Sequence, residues 1–285
     1  MEFLGVLQVI LLGIIEGITE WLPVSSTGHI ILFNNFYPSK LTPEFSDMFE
    51  YVVQLAAILA VVLFFWKKLF PLGKAQTEEG NGRIVWKKDV LSMWTKVIVA
   101  CVPAVCAIVV DKLFENLSPL AETAIIASTL IFYGIVFIVI ESFFKKEAKI
   151  KEISQLSYKY AFFIGCFQLL AAIPGTSRSG ITIIGALLLG VSRTTAAEFT
   201  FFLAIPTMVG ASAYKLLKFF MDVGTITGAE IGYLLIGSVV ALAVSLAVIK
   251  LLMDFVKKHD FKIFGWYRIV LGALVLAVMV VPTFF

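Results

Sequence analysis

Six uninterrupted apolar runs, each close to 20 residues long, constrain this chain more than any other feature. They occupy residues 48–66, 91–110, 123–140, 194–217, 231–253 and 266–285. A helix of about 20 apolar residues is long enough to cross the roughly 30 Å hydrocarbon core of a bilayer. The chain is 60% hydrophobic and 15% charged, whereas soluble domains are about half apolar and a quarter charged. These runs predict an all-α polytopic membrane protein with six full transmembrane helices.

Two further apolar runs are too short to cross. Residues 3–15 stop at Glu16, and residues 160–173 stop at Pro174 and Gly175. Runs of this length cover only about 21 Å. Each leads into a polar segment, 16–29 and 168–182, and each is followed by a second short apolar run, 30–36 and 181–189. Lipid tolerates a broken helix only where its backbone is buried in protein or lines a cavity, so the pattern predicts two re-entrant helical hairpins.

Basic residues concentrate in three loops, and this sets the expected orientation. Under the positive-inside rule these loops are cytoplasmic, while the loops near Lys112 and at 222–230 lie outside. The N- and C-termini are then predicted outside, with the first hairpin entering from outside and the second from the cytoplasm. The basic residues are Lys67, Lys68, Lys74, Arg83, Lys87 and Lys88, then Lys145, Lys146, Lys149, Lys151 and Lys159, then Lys257, Lys258 and Lys262.

An internal repeat leads to the same arrangement. It predicts a single membrane domain, residues 1–285, made of repeat 1 (1–142) and repeat 2 (158–285) joined by a cytoplasmic loop. Each repeat holds one hairpin and three spans, and an odd number of crossings inverts the second copy, so the two polar segments are expected to meet near the midplane. At an offset of 152 residues the aligned pairs are Gly13 with Gly165, Glu16 with Gln168, Ser25 with Ser177, Thr27 with Ser179, and Gly28 with Gly180.

The first polar segment carries acids, hydroxyls and one of the two histidines of the chain. Glu16 and Glu20 are one helical turn apart, so both carboxylates lie on one face, where they can share a cation or a proton. Ionisable groups at membrane depth are costly, which favours a functional role for them. His29 beside carboxylates can act as a general acid or base, and a hydroxyl beside a carboxylate can act as a nucleophile. The hydroxyls belong to Ser25, Ser26 and Thr27.

The second polar segment combines glycines, hydroxyls and a guanidinium just before a new helix. Backbone N–H groups at a helix start favour an anion, and Arg178 adds a bidentate fork that suits phosphate oxygens. The expected phosphate-binding residues are Arg178 with Gly175, Thr176, Ser177, Ser179 and Thr182 of this segment, and Ser25 and Thr27 of the first.

Other polar residues receive structural interpretations. Arg193 and Glu198 are expected to form an ion pair at the next helix start, and Lys96 to extend from its span to the inner face. His259 lies among charged residues of a cytoplasmic loop and is expected to be solvated. Nucleic acid is excluded as a partner, because the net charge of +3 is small and no basic stripe is present. Packing is the expected role of Cys101, Cys106 and Cys166.

Three short segments together resemble the signatures of a known family. Residues 16–20 are EGITE, residues 23–29 are PVSSTGH and residues 174–179 are PGTSRS. In order and spacing they are similar to the motifs of the bacterial undecaprenyl-diphosphatase, or bacitracin-resistance phosphatase, family, and the resemblance covers essentially the whole chain. It implies removal of the terminal phosphate from undecaprenyl diphosphate, which recycles the lipid carrier of cell-wall synthesis at the bacterial cell (inner) membrane.

The resemblance also implies a cofactor and a set of site residues. Activity would require Mg²⁺ or Ca²⁺, and the site of an interdigitated inverted-repeat fold would open to the outer face. Glu16 and Glu20 are the expected metal ligands, since hard cations prefer oxygen. The implied catalytic residues are Glu16, Glu20, Ser26, His29 and Arg178.

Two mechanisms and a second function stay open at this point. Either Ser26 attacks the terminal phosphorus and forms a phosphoenzyme, or water attacks while His29 transfers the proton. Inverted repeats with broken helices also build secondary transporters that bind anions at the midplane, so a lipid-phosphate flippase is the alternative. The expected partners are the bilayer and a polyprenyl diphosphate lipid, and a homodimer is left open.

Overall fold

The chain folds almost entirely into helices. The computed structural model describes residues 2–37, 39, 41–74, 84–114, 116–143 and 147–280. The α-helices are α1 (Phe3–Thr19), α2 (Ser26–Phe36), α3 (Pro43–Phe64), α4 (Trp66–Leu69), α5 (Lys88–Cys101), α6 (Ala107–Phe114), α7 (Pro119–Phe143), α8 (Tyr158–Gln168), α9 (Arg178–Leu188), α10 (Arg193–Asp222), α11 (Gly228–Val256) and α12 (Lys262–Val280). Short 3₁₀ turns occupy Pro103–Cys106, Ile153–Gln155 and Leu169–Ala172, and an antiparallel ribbon pairs β1 (Leu72–Lys74) with β2 (Ile84–Trp86).

Six helices of the described residues are long and apolar enough to cross a membrane: α3, α5 with its 3₁₀ turn, α7, α10, α11 and α12. The prediction of an all-α polytopic membrane protein is confirmed. α3 begins ahead of its apolar run because Thr42 caps it, with Oγ1 accepting a hydrogen bond from the Phe45 N–H at 3.3 Å, and because proline suits a first helical turn. Positions 281–285 of the last predicted span lie outside the described residues.

The second predicted span, 91–110, is a broken helix. α5 ends at Cys101, a 3₁₀ turn begins at Pro103, and α6 then continues to Phe114. Proline has no N–H to donate and its ring crowds the carbonyl one turn back, so it interrupts a regular α-helix.

Two pairs of short helices carry the polar segments. α1 ends at Thr19 and α2 begins at Ser26, while α8 and its 3₁₀ extension end at Ala172 and α9 begins at Arg178. Within each pair the two helices contact each other. Each pair is therefore a helical hairpin with a polar segment at its turn.

Two glycines allow the first helix of each pair to approach a long helix closely. A Cβ at Gly13 would lie 2.7 Å from the Gly237 carbonyl oxygen of α11, and one at Gly165 would lie 2.1 Å from the Ala100 carbonyl oxygen of α5. Neither distance is compatible with a side chain, so α1 and α8 require glycine at these points. The two glycines are also partners in the internal repeat.

Helices from the two halves of the chain interlock. α1 packs against α11 and α8 packs against α5, so the first helix of each half lies on a helix of the other. α3 packs on α10, and α7 packs on α12. Exchanging the halves maps these contacts onto themselves, which is the arrangement that interdigitated repeats require.

Aromatic side chains fill the core next to the first polar segment. Trp21 is 1% exposed and meets Phe201 of α10 edge-on, with ring centroids 5.3 Å apart. Phe65 packs edge-on against Phe202 at 5.2 Å. Burial of such large rings contributes a few kcal/mol each, and it fixes the turn after α1 against α10.

The ion pairs at the end of the bundle where α10 begins differ from the predicted one. Arg193 donates to Glu141 of α7 through Nε at 2.9 Å and Nη2 at 2.6 Å, whereas Glu198 pairs with Lys68. The predicted Arg193–Glu198 pair is wrong, because residues five apart on a helix point about 140° away from each other.

Lys96 reaches the loop before α8, which the positive-inside rule predicts on the inner face, but its side chain is buried there. Its side chain is 5% exposed, and Nζ donates hydrogen bonds of 3.0 Å to the Ile153 and Ser154 carbonyls. Lys96 therefore binds the backbone of the loop before α8 and does not extend to solvent. Of the basic loop residues, Arg83, Lys145 and Lys146 lie outside the described residues, as does the side chain of Lys74.

Candidate active site

The two polar segments meet in the folded chain. Arg178 Nη2, at the start of α9, donates to Glu20 Oε1, just after α1, at 2.7 Å. Ser179 Oγ donates to the Leu22 carbonyl at 3.2 Å. Residues separated by about half the sequence are thus joined through a half-buried ion pair and a hydrogen bond.

The first polar segment turns sharply between α1 and α2. Ser25 has a φ of 74°, a conformation that costs a non-glycine residue roughly 1 kcal/mol or more and often marks functional turns. Its carbonyl accepts a hydrogen bond from His29 Nδ1 at 2.7 Å. The turn places the hydroxyls of Ser25, Ser26 and Thr27 at the N-terminus of α2.

The second polar segment turns at Gly175, where φ is +81°. A Cβ at this position would lie 2.3 Å from Thr129 Oγ1, so both conformation and space demand glycine. Ser177 caps α9, because its Oγ accepts from the Gly180 N–H at 3.1 Å and lies 3.0 Å from Ser179 Oγ. The cap brings the N-terminal end of α9, with Arg178 as its first residue, to the meeting point.

A cavity of about 220 Å³ lies between the two segments. Eight of the thirteen lining residues were predicted site residues, and they bring one carboxylate, one guanidinium and several hydroxyls together. Of the other five, three extend the wall into α3 and α10, and two belong to α1 and the 3₁₀ turn after α8. The predicted residues are Glu20, Ser25, Ser26, Thr27, Thr176, Ser177, Arg178 and Ser179, and the remainder are Thr19, Tyr51, Gln54, Ala171 and Ala211.

Glu16 lies one turn from Glu20 and is 4% exposed. The charges of the two side chains act on each other, and Glu16 Oε1 has no hydrogen-bond partner among the described residues. Two adjacent carboxyls with an unpaired oxygen fit either a shared proton or a hard cation. Within the described part of the chain no three acidic, histidine or cysteine side chains cluster around a metal position, so a cation held here would complete its shell with water or substrate oxygens.

Four predicted residues do not line the cavity, and Glu16, described above, is one of them. His29 Nε2 lies 2.7 Å from the Tyr267 hydroxyl, and the two rings stack at 5.6 Å. Thr182 is fully buried beneath the segment and donates to the Arg178 carbonyl at 2.8 Å. Gly175 contributes backbone conformation.

Arg268 of α12 is a site residue that the sequence reasoning missed. It is 1% exposed, and its Nη1 donates to the Pro23 carbonyl at 3.3 Å while Nη2 donates to the Gly175 carbonyl at 3.1 Å. Its guanidinium also lies 5.8 Å from the centroid of the Tyr133 ring. One arginine thus holds both polar segments. A signal was present, since an arginine inside an apolar run is costly unless it is paired.

The fold and the cavity define an all-α, multi-pass membrane protein whose site combines paired carboxyls, hydroxyls and arginine at the junction of two helical hairpins. The chain belongs to the family described as bacitracin resistance protein BacA, whose family model matches residues 9–274. The resemblance seen in the three motifs is confirmed.

Curated relatives match over nearly the full length. The chain is 55% identical to an undecaprenyl-diphosphatase of Enterococcus faecalis over 280 residues, covering 98% of both chains. It is also 55% identical to one from Lachnoclostridium phytofermentans, over 96% of this chain and 97% of the relative. A third, from Desulfitobacterium hafniense, is 54% identical over 97% of this chain and 96% of the relative.

Proposed function

We propose that this chain hydrolyses undecaprenyl diphosphate to undecaprenyl phosphate and inorganic phosphate. This activity returns the lipid carrier to cell-wall synthesis and confers bacitracin resistance. The observation that carries the proposal is the Arg178–Glu20 contact across a hydroxyl-lined cavity, in a chain 55% identical to an undecaprenyl-diphosphatase over 98% of both lengths.

The site is placed within the bacterial cell membrane by two re-entrant hairpins, with repeat 1 (1–142) and repeat 2 (158–285) inverted about it. α2 and α9 each have 11 residues, about 17 Å of helix against a core of about 30 Å, so neither completes a crossing. The N-terminal end of α1 lies beside α11, where the Glu2 N–H donates to Tyr233 Oη at 3.1 Å. The ion pairs of Lys68, Arg193 and Lys257 lie at the end of the helices opposite to Glu2. Because basic residues favour the cytoplasmic side, this supports an outer N-terminus.

Arg178 binds the diphosphate in this proposal. Its guanidinium is paired with Glu20, and the arriving phosphate oxygens replace that carboxylate through a bidentate contact. The exchange frees Glu20 beside Glu16. Charge neutralisation and positioning supply most of the rate enhancement in phosphoryl transfer, so a preorganised arginine is the central element.

The residues present fit a divalent cation. Glu16 and Glu20 would hold Mg²⁺ or Ca²⁺, which typically binds through one or two carboxylates together with substrate phosphates. When bound, the cation neutralises phosphate charge. Ser25, Thr27, Thr176, Ser177 and Ser179 are the hydroxyl donors placed to contact the remaining phosphate oxygens.

The nucleophile is either Ser26 or water. If Ser26 Oγ attacks the terminal phosphorus, undecaprenyl phosphate leaves and water then hydrolyses the phosphoserine; if water attacks, undecaprenyl phosphate leaves and inorganic phosphate forms in the same step. Glu20 lines the cavity together with Ser26, whereas His29 does not line it and instead donates to the Ser25 carbonyl. Acid quench during turnover separates the routes, since only the first leaves phosphate bonded to Ser26.

Phosphate release by purified protein in detergent tests the function. With Mg²⁺ or Ca²⁺ the parent is expected to release inorganic phosphate from undecaprenyl diphosphate, and Arg178→Ala to lose about 10² to 10³ in rate. Arg193→Ala, which removes an arginine paired away from the cavity, serves as the matched control and should retain the rate of the parent.

The same experiment addresses the flippase alternative, which the relatives do not favour. Detergent removes any gradient, so a carrier would release no phosphate under these conditions yet would move lipid in vesicles. That outcome, or an Arg178→Ala variant within a few-fold of the parent, would overturn the proposal.

A further inference from the structure

A second cavity lies beside the active-site cavity, between the same two helices. It has a volume of about 200 Å³ and is bordered by Glu44 and Asp47 of α3 and by Lys215, Lys218 and Asp222 of α10. The active-site cavity is bordered by residues one turn further along each helix, Tyr51 of α3 and Ala211 of α10. The second cavity therefore lies about one turn closer to the N-terminal end of α3 than the first.

Lys215 borders the second cavity and lies close to a residue that borders the first. Its side chain borders the second cavity, while Nζ lies 5.1 Å from the centroid of the Tyr51 ring, which borders the first. Among the described residues Lys215 forms no direct salt bridge, although its charge acts on Glu50, the neighbour of Tyr51. Its ammonium group is thus able to accept an anion coming from the active site.

The two products of the proposed reaction need different exits. Undecaprenyl phosphate keeps its tail in lipid and leaves sideways, whereas inorganic phosphate is charged and must reach water through polar surroundings. The second cavity provides such surroundings at the aqueous end of α3 and α10.

We propose that inorganic phosphate leaves through the second cavity, with Lys215 as its binding group on that path; this inference rests on the proposed function. Lysine side chains are typical of pores that carry anions. Phosphate must bind such a path strongly enough to enter it and weakly enough to leave it. Glu44, Asp47 and Asp222 border the same space as the lysines. Their negative charges prevent phosphate from being retained.

The first test compares bond cleavage with phosphate release in the full chain in detergent. Quench-flow measures cleavage, and a rapid phosphate sensor measures release. Lys215→Gln is expected to slow release about tenfold, the effect of losing one charged contact of about 1.4 kcal/mol, with first-turnover cleavage within two-fold of the parent. Lys250→Gln, an exposed lysine of α11 that borders neither cavity, is the matched control and should change neither rate.

The second test obstructs the path physically. Lys218→Cys, in a background with Cys101, Cys106 and Cys166 replaced by alanine, is modified with a bulky hydrophilic maleimide. Modification is expected to leave the first turnover intact and to slow later turnovers. The same modification of Gly228→Cys, an exposed position with open space around it, should slow none of them.

The outcomes separate this inference from the proposed function. Release that keeps pace with cleavage in both Lys215→Gln and modified Lys218→Cys would overturn the exit path while leaving the phosphatase intact. Absence of cleavage by the parent would overturn the proposed function itself.

Discussion

Arg178 and Arg268 have different tasks although both lie at the junction of the polar segments. Arg178 is paired with a carboxylate at the cavity wall, where an arriving anion can replace its partner. Arg268 is buried and donates only to backbone carbonyls among the described hydrogen bonds, so it holds the turns without facing the cavity. Lysine in place of a buried arginine bound to carbonyls in two directions lacks the rigid guanidinium fork, so its single nitrogen would have to shift the two segments to bond both carbonyls.

Arg268→Lys is therefore expected to lower kcat about 10²-fold, because misplacement of a catalytic group by about 1 Å has effects of that size. KM should change little, since Arg178 still binds phosphate. Steady-state kinetics with purified protein measures kcat and KM separately. Arg193→Lys is the matched control: both variants should lower the melting temperature, but only Arg268→Lys should lower kcat, and an equal kcat in the two would contradict a positioning role.

The sequence predicted which polar residues meet more reliably than how their side chains are oriented. Glu16, Glu20 and Arg178 stand out because charges are rare and costly at membrane depth, and the structure brings them together. The direction of His29 towards Tyr267 depends on how α2 packs against α12, which no local pattern encodes. The pairing of Arg193 with Glu141 depends on the contact of distant helices in the same way.

At the level of helices, hydropathy and length predicted each long span, because the bilayer imposes both requirements on the local sequence. Helix ends were less predictable. The break at Pro103 was visible as a residue but not as a change of helix type, and the β1–β2 ribbon lies in a polar loop without a strong alternating pattern.

The glycine contacts between helices give a stability prediction. Gly165→Val forces α8 away from the Ala100 carbonyl and is expected to lower the free energy of unfolding by about 1–3 kcal/mol, the range for overpacked sites. Thermal unfolding in detergent measures the change. Gly210→Ala is the control, because nothing lies within 4 Å of a Cβ there; it should raise stability by about 0.5–1 kcal/mol through helix propensity. Similar melting temperatures for the two variants would contradict the close-approach interpretation.

At the scale of the whole molecule, the predicted inversion of the two halves would explain how chemically unequal segments share one site. The first polar segment supplies both carboxyls. The second polar segment has Gln168 at the position that corresponds to Glu16, and it carries Arg178. A site assembled from opposed copies needs both hairpins to return to the side from which they entered. The order of spans follows from the sequence, whereas the return of each hairpin depends on burial of its turn by the other half.

Accessibility of single cysteines to a membrane-impermeant maleimide in intact cells tests this topology. In the cysteine-free background, Glu2→Cys, Ser39→Cys and Gly228→Cys are exposed positions and are expected to react together from the outside. Lys257→Cys, also exposed, should react only after the cells are permeabilised. Glu2 and Ser39 flank the first hairpin, so a re-entrant path places them on one side. Labelling of only one of them in intact cells would mean that α1 and α2 together make a single crossing, and the inverted arrangement of the two halves would then be wrong.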